Sequence, residues 1–330
     1  MFSPITPTLQ LVAALVAFQI CAAAYPLYIK WLKAKQVEQF IREEGPQSHA
    51  AKAKTPTMGG LCFIGGACVT IAGLLLFLGP EVFGIGRRVF LLIPLAVGLV
   101  CAAVGWLDDY GKVTSQSNRG LSASKRLGIE LALGVVLGLT LLFLPDLNPQ
   151  LTIIDLAGHV SQQSLPPYSS PWTIAYFLLL CPLAVAGASN AVNLHDGMDG
   201  LAGGTAALIF ATLAYMCWLQ GSYGYGAIAA AVAGALLAFL LFNRYPAKVF
   251  MGDTGSLFLG GLLAGLVYCS GLTFWLLPLG VIYIIEVLSV MAQVVYFKLT
   301  KPYTGEPMAP LQLLWLKLSK RLPGEGKRLL

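Results

Sequence analysis

The stretch LQLVAALVAFQICAAAYPLYI, residues 9–29, decides the fold class of this chain. It contains no charged residue over about 20 positions, which is the length of a helix that crosses a bilayer. No Lys or Arg precedes the stretch, whereas Lys30, Lys33 and Lys35 follow it. A cleaved signal peptide carries its positive charge before the apolar run, so the order here predicts a retained first helix with its N-terminus outside the cytoplasm.

The rest of the chain has the same membrane-like composition. Over the whole chain, hydrophobic residues make up 57%, charged residues make up 11%, and the mean hydropathy is +0.75. A soluble domain carries about 25% charged residues. Long apolar runs without strand-like alternation favour helices over a barrel. The sequence therefore predicts an all-α, polytopic transmembrane helix bundle in a single domain, residues 1–330. Its nine predicted spans are 9–29, 59–79, 88–107, 127–145, 172–190, 201–220, 225–243, 255–271 and 273–297.

The positive charges agree with one orientation of these spans. With the loop after the first span in the cytoplasm, 19 of the 21 Lys and Arg residues fall in cytoplasmic segments. Such an excess is typical of inner loops. The net charge of +6 is thus explained by membrane orientation, and no nucleic-acid partner is predicted.

Three polar motifs interrupt the apolar pattern, and each lies at a predicted cytoplasmic span end. They are GWLDDYGKV (105–113), NAVNLHDGMDGLAGG (190–204) and VFMGDTGSLFLGG (249–261). Together they place five aspartates on one membrane face: Asp108, Asp109, Asp196, Asp199 and Asp253. Like charges repel, so such a cluster needs cations. Carboxylates completed by substrate phosphate oxygens suit Mg²⁺. The same face carries Lys and Arg residues that can bind phosphate, so the sequence favours phosphoryl transfer.

Other interpretations of the acidic residues stay open. Asp253 precedes Thr-Gly-Ser at a helix start and could simply cap that helix. A transporter would place its acids near the membrane midplane. A protein that only binds a carrier lipid or a nucleotide sugar would not need the acidic pair Asp108 and Asp109 together with Asp253. Glu130 and Glu286 lie inside predicted spans, where an ionisable group is either functional or paired within the bundle.

The three motifs resemble those of the polyprenyl-phosphate N-acetylhexosamine-1-phosphate transferases. EEGPQSHAAKAKTPTMGG (43–60) and GLSASKRLG (120–128) are similar to the muramoyl-pentapeptide branch of that family. The resemblance implies transfer of phospho-MurNAc-pentapeptide from UDP-MurNAc-pentapeptide to undecaprenyl phosphate, with Mg²⁺ as cofactor, giving lipid I and UMP. It also implies a multi-pass protein of the bacterial inner membrane, an active site on the cytoplasmic face and a homodimer in the lipid bilayer. A relative that uses UDP-GlcNAc is the alternative.

The resemblance also implies roles for individual residues. Asp253 and Asn193 match metal ligands. Asp108, Asp109 and Asp253 match catalytic acids, and one of the first two would orient or deprotonate the lipid phosphate. The residues that match substrate contacts are Lys52, Lys54, Lys125, Asn190, Asn193, Asp196, Asp199, Asn243 and Phe250. Among them, Asp199 would read uracil, Phe250 would stack on it, and Lys125 with one of Lys52 or Lys54 would bind phosphate. Direct attack by the lipid phosphate is favoured over a covalent intermediate, which stays open.

One departure from the family pattern concerns the C-terminal region. The family usually has ten spans and a histidine-rich motif after the ninth, whereas no histidine follows His195 here. MAPL (308–311) is continued by Gln312 and Leu313. We therefore expect nine spans, and a histidine contribution to diphosphate binding is in question. Residues 303–322 are predicted to form a cytoplasmic amphipathic helix at the inner membrane surface.

Overall fold

The structure is a computed structural model that describes residues 6–35, 37, 55–78, 80–83, 88–115, 120–144, 151–155, 157–166 and 169–304. Long helices follow the apolar runs of the sequence. The helices are α1 (Thr6–Ala34), α2 (Gly60–Phe77), α3 (Leu92–Thr114), α4 (Ala123–Phe143), α5 (Pro171–Ala175), α6 (Cys181–His195), α7 (Leu201–Leu219), α8 (Tyr223–Asn243), α9 (Gly252–Ser270), α10 (Leu276–Leu279) and α11 (Val281–Thr304). A π-helical turn, Tyr176–Leu180, joins α5 to α6.

These helices confirm the prediction of a polytopic all-α membrane protein. Among the described residues, eight helical segments are long and apolar enough to cross a membrane. A ninth candidate combines Thr273–Leu279 with Val281–Tyr296. The sidedness of the bundle stays a prediction. Residues 305–330, which hold most of the predicted amphipathic helix, lie outside the described residues.

The chain falls into two compact units, Met1–Gly280 and Val281–Leu330. The first unit contains helices α1 to α10 and all three polar motifs. In the second unit, the described part is the helix α11, which carries Glu286. The prediction of one domain over residues 1–330 stays a prediction.

A β-hairpin in the loop between α4 and α5 was not predicted. Strands β1 (Leu151–Ile154) and β2 (Val160–Gln163) pair antiparallel. Asp155 Oδ1 accepts hydrogen bonds from the backbone N–H groups of Ala157 and His159 and so closes the turn between the two strands. Asp155 followed shortly by Gly158, which has a positive φ, is a pattern typical of turns. The signal was present in the sequence, but the strands on either side are only four residues long.

Helix α9 lies at the centre of the first unit. Every residue from Thr254 to Ser270 is buried. The helix packs against α2, α3 and α6, while α8 packs against α1, α2 and α7. Lipid gives no hydrophobic force between helices, so close packing depends on small side chains, and α8 and α9 are rich in Gly and Ala. Packing on several sides fixes the N-terminal end of α9, where the third polar motif begins.

Gly105 of α3 allows the closest approach between α3 and the first turn of α9. A Cβ added at Gly105 would lie 2.6 Å from the backbone nitrogen of Thr254 and closer still to the carbonyl oxygen of Asp253. Both atoms belong to the backbone of α9 and cannot rotate away. Any larger residue at this position would therefore force the two helices apart.

We expect Gly105→Ala to lower the free energy of unfolding by about 1–3 kcal/mol, the usual cost of overpacking. Thermal unfolding of the detergent-purified protein measures the effect. Gly128→Ala in α4 is the matched control, because an added Cβ there meets no atom within 4 Å. Equal stability of the two variants would contradict the close contact between α3 and α9.

Candidate active site

The ends of four helices meet at one end of the first unit. They are the C-terminal parts of α3 and α6 and the first turns of α4 and α9. Side chains from the first and third polar motifs contact each other there, and α6 contributes the asparagines that begin the second motif. The predicted gathering of the three motifs is therefore present in the structure.

Asp253 is the centre of this cluster. Its Oδ2 atom accepts a hydrogen bond from Lys112 Nζ at 2.8 Å, and its Oδ1 atom accepts one from Asn193 Nδ2 at 2.7 Å. Arg126 Nη1 lies 3.6 Å from the same Oδ2 atom. The Asp253 side chain is 18% exposed, so it remains open to a ligand. Two cations and one amide thus hold a partly buried carboxylate in a fixed orientation.

Asp108 shares a cation with Asp253. Lys112, one helical turn after Asp108 in α3, places Nζ 2.5 Å from Asp108 Oδ2. The other oxygen of Asp108 accepts the backbone N–H of Leu121, just before α4. The Lys112 ammonium therefore bridges the two carboxylates, and Asp108 also holds the start of α4 near the site.

Asp109 has a different set of partners from Asp108. It is buried, and its Oδ1 atom accepts the backbone N–H of Asp253 at 3.1 Å. Its Oδ2 atom accepts both the backbone N–H of Thr254 at 2.9 Å and the Thr254 hydroxyl at 2.7 Å. These contacts satisfy the free N–H groups at the N-terminus of α9 and place a negative charge at the positive end of its dipole. The visible role of Asp109 is structural, and its predicted catalytic role stays a prediction.

Gly252 makes the contact between Asp109 and α9 possible. Its φ angle of +77° lies in the left-handed region, and an added Cβ would lie 2.6 Å from Asp109 Oδ2. Glycine adopts this backbone conformation without steric cost. This explains why a glycine directly precedes Asp253.

Asn190 lies within α6, one turn before Asn193. Its Nδ2 atom donates to Glu130 Oε2 and, at 2.8 Å, to the carbonyl oxygen of Ala186. Its Oδ1 atom accepts a hydrogen bond from Arg126 Nη2 at 3.1 Å. Of the two interpretations of Glu130, the structure thus supports pairing within the bundle. A nucleotide contact by Asn190 stays a prediction.

The turn between α6 and α7 is tied to the segment that precedes Asp253. Asp199 Oδ2 accepts the backbone N–H of Ala247 at 3.1 Å. Asn243 is buried, accepts the N–H of Gly200 at 2.9 Å and donates to the carbonyl oxygen of Val249 at 3.0 Å. These side chains hold the two loops together. Their predicted contacts with uracil and the nucleoside stay predictions.

Asp196 directly follows α6, beside the site. Burial raises its pKa to about 7, and the nearby carboxylates of Asp253, Asp109 and Asp199 contribute to the shift. Removal from water is the largest cause of the shift, and the accumulation of negative charge adds to it. The turn thus adds to the demand for positive charge at this end of the unit.

Phe250 is half-buried, and its backbone pairs with the segment before α2. Its N–H donates to the carbonyl oxygen of Pro56, and its own carbonyl oxygen accepts the N–H of Gly59, both at 2.8 Å. The hydroxyls of Tyr25 and Tyr28 in α1 hold the same segment through the carbonyl oxygens of Gly59 and Met58, both at 3.0 Å. The end of the first predicted cytoplasmic loop is therefore fixed beside the start of α9.

The predicted phosphate-binding lysines have different outcomes. Lys52 and Lys54 lie outside the described residues. Lys125 is exposed in the first turn of α4. The site prediction does not include Lys112 and Arg126, which contact Asp253 in the structure. The four-residue spacing between Asp108 and Lys112 on one helix was the signal for the first of them.

The oxygen atoms of the site fit a magnesium ion that is completed by substrate. Among the described residues, no three His, Cys, Asp or Glu side chains form a group that could hold a metal ion. The available ligands are the carboxylates of Asp253 and Asp108 and the carbonyl oxygen of Asn193, whose amide nitrogen already faces Asp253 and Ser256. Mg²⁺ uses one or two carboxylates together with phosphate oxygens and waters. The ligand set therefore suits Mg²⁺ better than Zn²⁺.

Comparison with known proteins identifies two matches to family descriptions. Residues 91–271 match the family model described as glycosyl transferase family 4. Residues 52–64 match a signature described as phospho-N-acetylmuramoyl-pentapeptide-transferase signature 1. The first match includes Asp108, Asn193 and Asp253, and the second ends at Ile64, the fifth residue of α2.

Curated relatives resemble this chain over most of their length. The phospho-N-acetylmuramoyl-pentapeptide-transferase of Geobacillus kaustophilus (strain HTA426) is 39% identical over 293 residues, which cover 88% of this chain and 84% of the relative. The protein of the same name from Bacillus pumilus (strain SAFR-032) is 39% identical over 292 residues, covering 87% and 83%. The one from Oceanobacillus iheyensis is 39% identical over 291 residues, covering 88% and 84%.

We expect Thr254→Val to lower the free energy of unfolding by about 0.5–1.5 kcal/mol, because the variant loses one hydrogen bond to Asp109. Thr254→Ser keeps the hydroxyl donor and is the matched control. Asp109→Ala removes all three hydrogen bonds and should cost more than Thr254→Val. Thermal unfolding in detergent compares the three variants, and an unchanged midpoint for Asp109→Ala would contradict its capping role.

Proposed function

The chain belongs to glycosyl transferase family 4 and, within it, to the phospho-N-acetylmuramoyl-pentapeptide transferases, and from that membership we propose its reaction. It transfers phospho-MurNAc-pentapeptide from UDP-MurNAc-pentapeptide to undecaprenyl phosphate, giving lipid I and UMP for peptidoglycan synthesis. The observation that carries this proposal is the cluster of Asp108, Lys112, Asn193 and Asp253 at one end of the helix bundle. It combines acidic, amide and basic groups suited to a diphosphate.

The proposed location of the site is the cytoplasmic face of a bacterial inner membrane. The excess of Lys and Arg in the loops at this end supports the orientation. The donor is water-soluble, whereas the acceptor keeps its isoprenoid tail in lipid and its phosphate at the membrane surface. Helix ends at that surface are where the two substrates can meet.

In the proposed reaction, an oxygen of the lipid phosphate attacks the phosphorus that carries the sugar. The bond between this phosphorus and the oxygen bridging to UMP breaks, and UMP leaves with that oxygen. Direct attack needs only placement of the acceptor, because a phosphate oxygen is already a nucleophile. A covalent intermediate on an aspartate is the alternative mechanism.

The residues of the chain would contribute mainly charge and orientation. Lys112 and Arg126, which already contact the Asp253 carboxylate, can neutralise the charge of the transferred phosphoryl group. Asp108 stands beside Lys112, whereas both oxygens of Asp109 face the backbone of α9. We therefore assign to Asp108 the role of orienting the lipid phosphate or accepting its proton.

Magnesium is the proposed cofactor. Asp253 and Asn193 would hold it, with Asp108 close by. When bound, Mg²⁺ supplies positive charge to the diphosphate and to the leaving UMP. The arrangement of two carboxylates around the Lys112 ammonium supports a demand for cations at this point.

The donor nucleoside would lie between the α6–α7 turn and the segment 244–251. Asp199 would read the uracil edge and Phe250 would stack on the ring, with Asn190, Asp196 and Asn243 nearby. Lys125 and one of Lys52 or Lys54 would bind phosphate. The hydrogen bonds that tie these two loops together, in which Asp199 accepts from Ala247 and Asn243 accepts from Gly200 and donates to Val249, support a shared binding surface. The homodimer implied by the resemblance is part of the same proposal.

Two other functions are weaker. Transfer from UDP-GlcNAc would use the same cluster of Asp108, Lys112 and Asp253, but the match of residues 52–64 to the muramoyl signature favours the muramoyl donor. A transporter would hold its ion near the middle of the bundle. The clustered acids Asp108 and Asp253 instead lie in the C-terminal part of α3 and the first turn of α9.

We expect the purified protein in detergent to release UMP from UDP-MurNAc-pentapeptide only when undecaprenyl phosphate and Mg²⁺ are both present. UDP-GlcNAc in a parallel reaction is the matched donor control. Excess chelator should stop the release, and added Mg²⁺ should restore it. Release from UDP-GlcNAc but not from UDP-MurNAc-pentapeptide would reassign the donor. Release in excess chelator would contradict the proposed cofactor.

We expect Asp253→Asn to lower the rate of UMP release by at least about a hundredfold, because the site loses a charge that holds its cations. Asp155→Asn is the matched control, since Asp155 is exposed on the β-hairpin, away from the polar motifs. Both variants should be produced in membranes at the level of the parent protein. A near-parental rate for Asp253→Asn would remove this residue from the site.

A further inference from the structure

Glu130 is a carboxylate that the proposed reaction does not use. It lies in the second turn of α4, and its side chain is 0% exposed. Burying a carboxylate within a membrane-spanning helix is costly unless the group has a partner or a function. The contacts of Glu130 therefore need an explanation.

The donor that contacts Glu130 Oε2 is the side-chain amide of Asn190. One acceptor for the Asn190 Nδ2 atom is Glu130 Oε2, and the other is the carbonyl oxygen of Ala186, at 2.8 Å. An amide nitrogen has two hydrogen atoms, so both of its donors are used. The two acceptors thus fix which way the amide points, and its carbonyl oxygen must face the opposite side.

The Arg126 guanidinium is the hydrogen-bond donor to that carbonyl oxygen. Its Nη2 atom donates to Asn190 Oδ1 at 3.1 Å, and its Nη1 atom lies 3.6 Å from Asp253 Oδ2. If the amide were reversed, two donor groups would face each other and the guanidinium would lose this support. Asn190 therefore keeps Arg126 beside Asp253 only in the orientation that Glu130 and the Ala186 carbonyl oxygen select together.

We propose that Glu130 is a positioning residue that acts through Asn190 to hold the Arg126 guanidinium at Asp253. Its effect on the reaction rests on the proposed function, whereas its effect on Arg126 does not. The role requires an acceptor at residue 130 and does not require a negative charge. Glu130→Gln should therefore preserve it through the Gln carbonyl oxygen, and Glu130→Met should abolish it at similar side-chain volume.

The first test measures how freely Arg126 reacts with phenylglyoxal, a reagent for guanidinium groups, using mass spectrometry of the purified protein. Arg244 is exposed and serves as the internal reference within the same molecule. We expect Glu130→Met to raise the rate at Arg126 relative to Arg244 by about tenfold, as for a lost hydrogen bond to a charged group. Glu130→Gln should leave the ratio close to that of the parent protein.

The second test measures UMP release. We expect Glu130→Met to lower kcat by about 10–100-fold, the range found when a partner that orients an active-site group is removed. In an Arg126→Met background, Glu130→Met should cause no further loss, because both substitutions remove the same contact. Thr70→Val in α2 is the control for losing a buried polar side chain elsewhere in the bundle.

The outcomes separate this role from a purely structural one and from the proposed function. An unchanged reactivity of Arg126 in Glu130→Met, or losses in kcat that multiply in the double variant, would overturn the proposal. A loss of function in Glu130→Gln similar to that in Glu130→Met would also overturn it, since it would mean that the negative charge is required.

If Glu130→Met does not fold, Asn190→Ala should free Arg126 in the same way, and unchanged reactivity of Arg126 in that variant would refute the proposed role of Glu130. If the parent protein releases no UMP, the proposed function fails. The reactivity of Arg126 with phenylglyoxal then decides by itself whether Glu130 positions Arg126.

Discussion

The contact between Asp109 and the N-terminus of α9 is the constraint on which the site depends. The carboxylate of Asp109 accepts the N–H groups of Asp253 and Thr254, and this fixes α3 against α9 in one register. With that register set, Asp108 and Lys112, on the same helix as Asp109, come to lie beside the Asp253 side chain. Gly105 and Gly252 leave room for the contact, because a Cβ at either position would meet the backbone of α9 or the Asp109 carboxylate. Of the two adjacent aspartates, Asp109 thus holds α3 against α9, and Asp108 lies in the candidate active site.

The electrostatics of the site follow from its place at the ends of membrane helices. Asp108, Asp253 and Glu130 are acids in spanning segments, where an isolated charge would be expensive. Each has a basic or amide partner: Lys112 for the first two, and Asn190 for Glu130. Arg126 links the two groups, since it contacts both Asn190 and Asp253. Such a network holds its charges in place before a substrate arrives, so little reorganisation is needed during a reaction that moves phosphoryl charge.

The sequence predicted the helix bundle well, because long apolar runs between basic loops allow few other structures. It also predicted that the polar motifs would gather, since all of them lie at span ends that the charge pattern assigns to the same side of the membrane. The partners of each side chain depend on how neighbouring helices rotate and approach, and the sequence does not encode this in any local pattern. For this reason the capping role of Asp109, the pairing of Asn190 with Glu130 and the position of Arg126 beside Asp253 became visible only in the structure. The hairpin at residues 151–163 was missed because its strands are too short for alternation to be recognised.

The described part of the signature segment, residues 55–64, is coupled to the third polar motif through the backbone. The N–H of Phe250 and the N–H groups of Gly59 and Gly60 form three hydrogen bonds between the two segments. Met58 adopts a φ of +66°, which costs energy for a residue other than glycine and persists only when its surroundings hold it. The Tyr28 hydroxyl, bonded to the Met58 carbonyl oxygen, is one of the groups that do so. Backbone atoms make the coupling, and two of its donors must stay small: an added Cβ would lie 2.7 Å from the Phe250 carbonyl oxygen at Gly59 and closer still to the Gly255 Cα atom at Gly60. The loop that carries the proposed phosphate-binding lysines therefore enters the bundle at a point set by the same helix start that carries the proposed metal ligand.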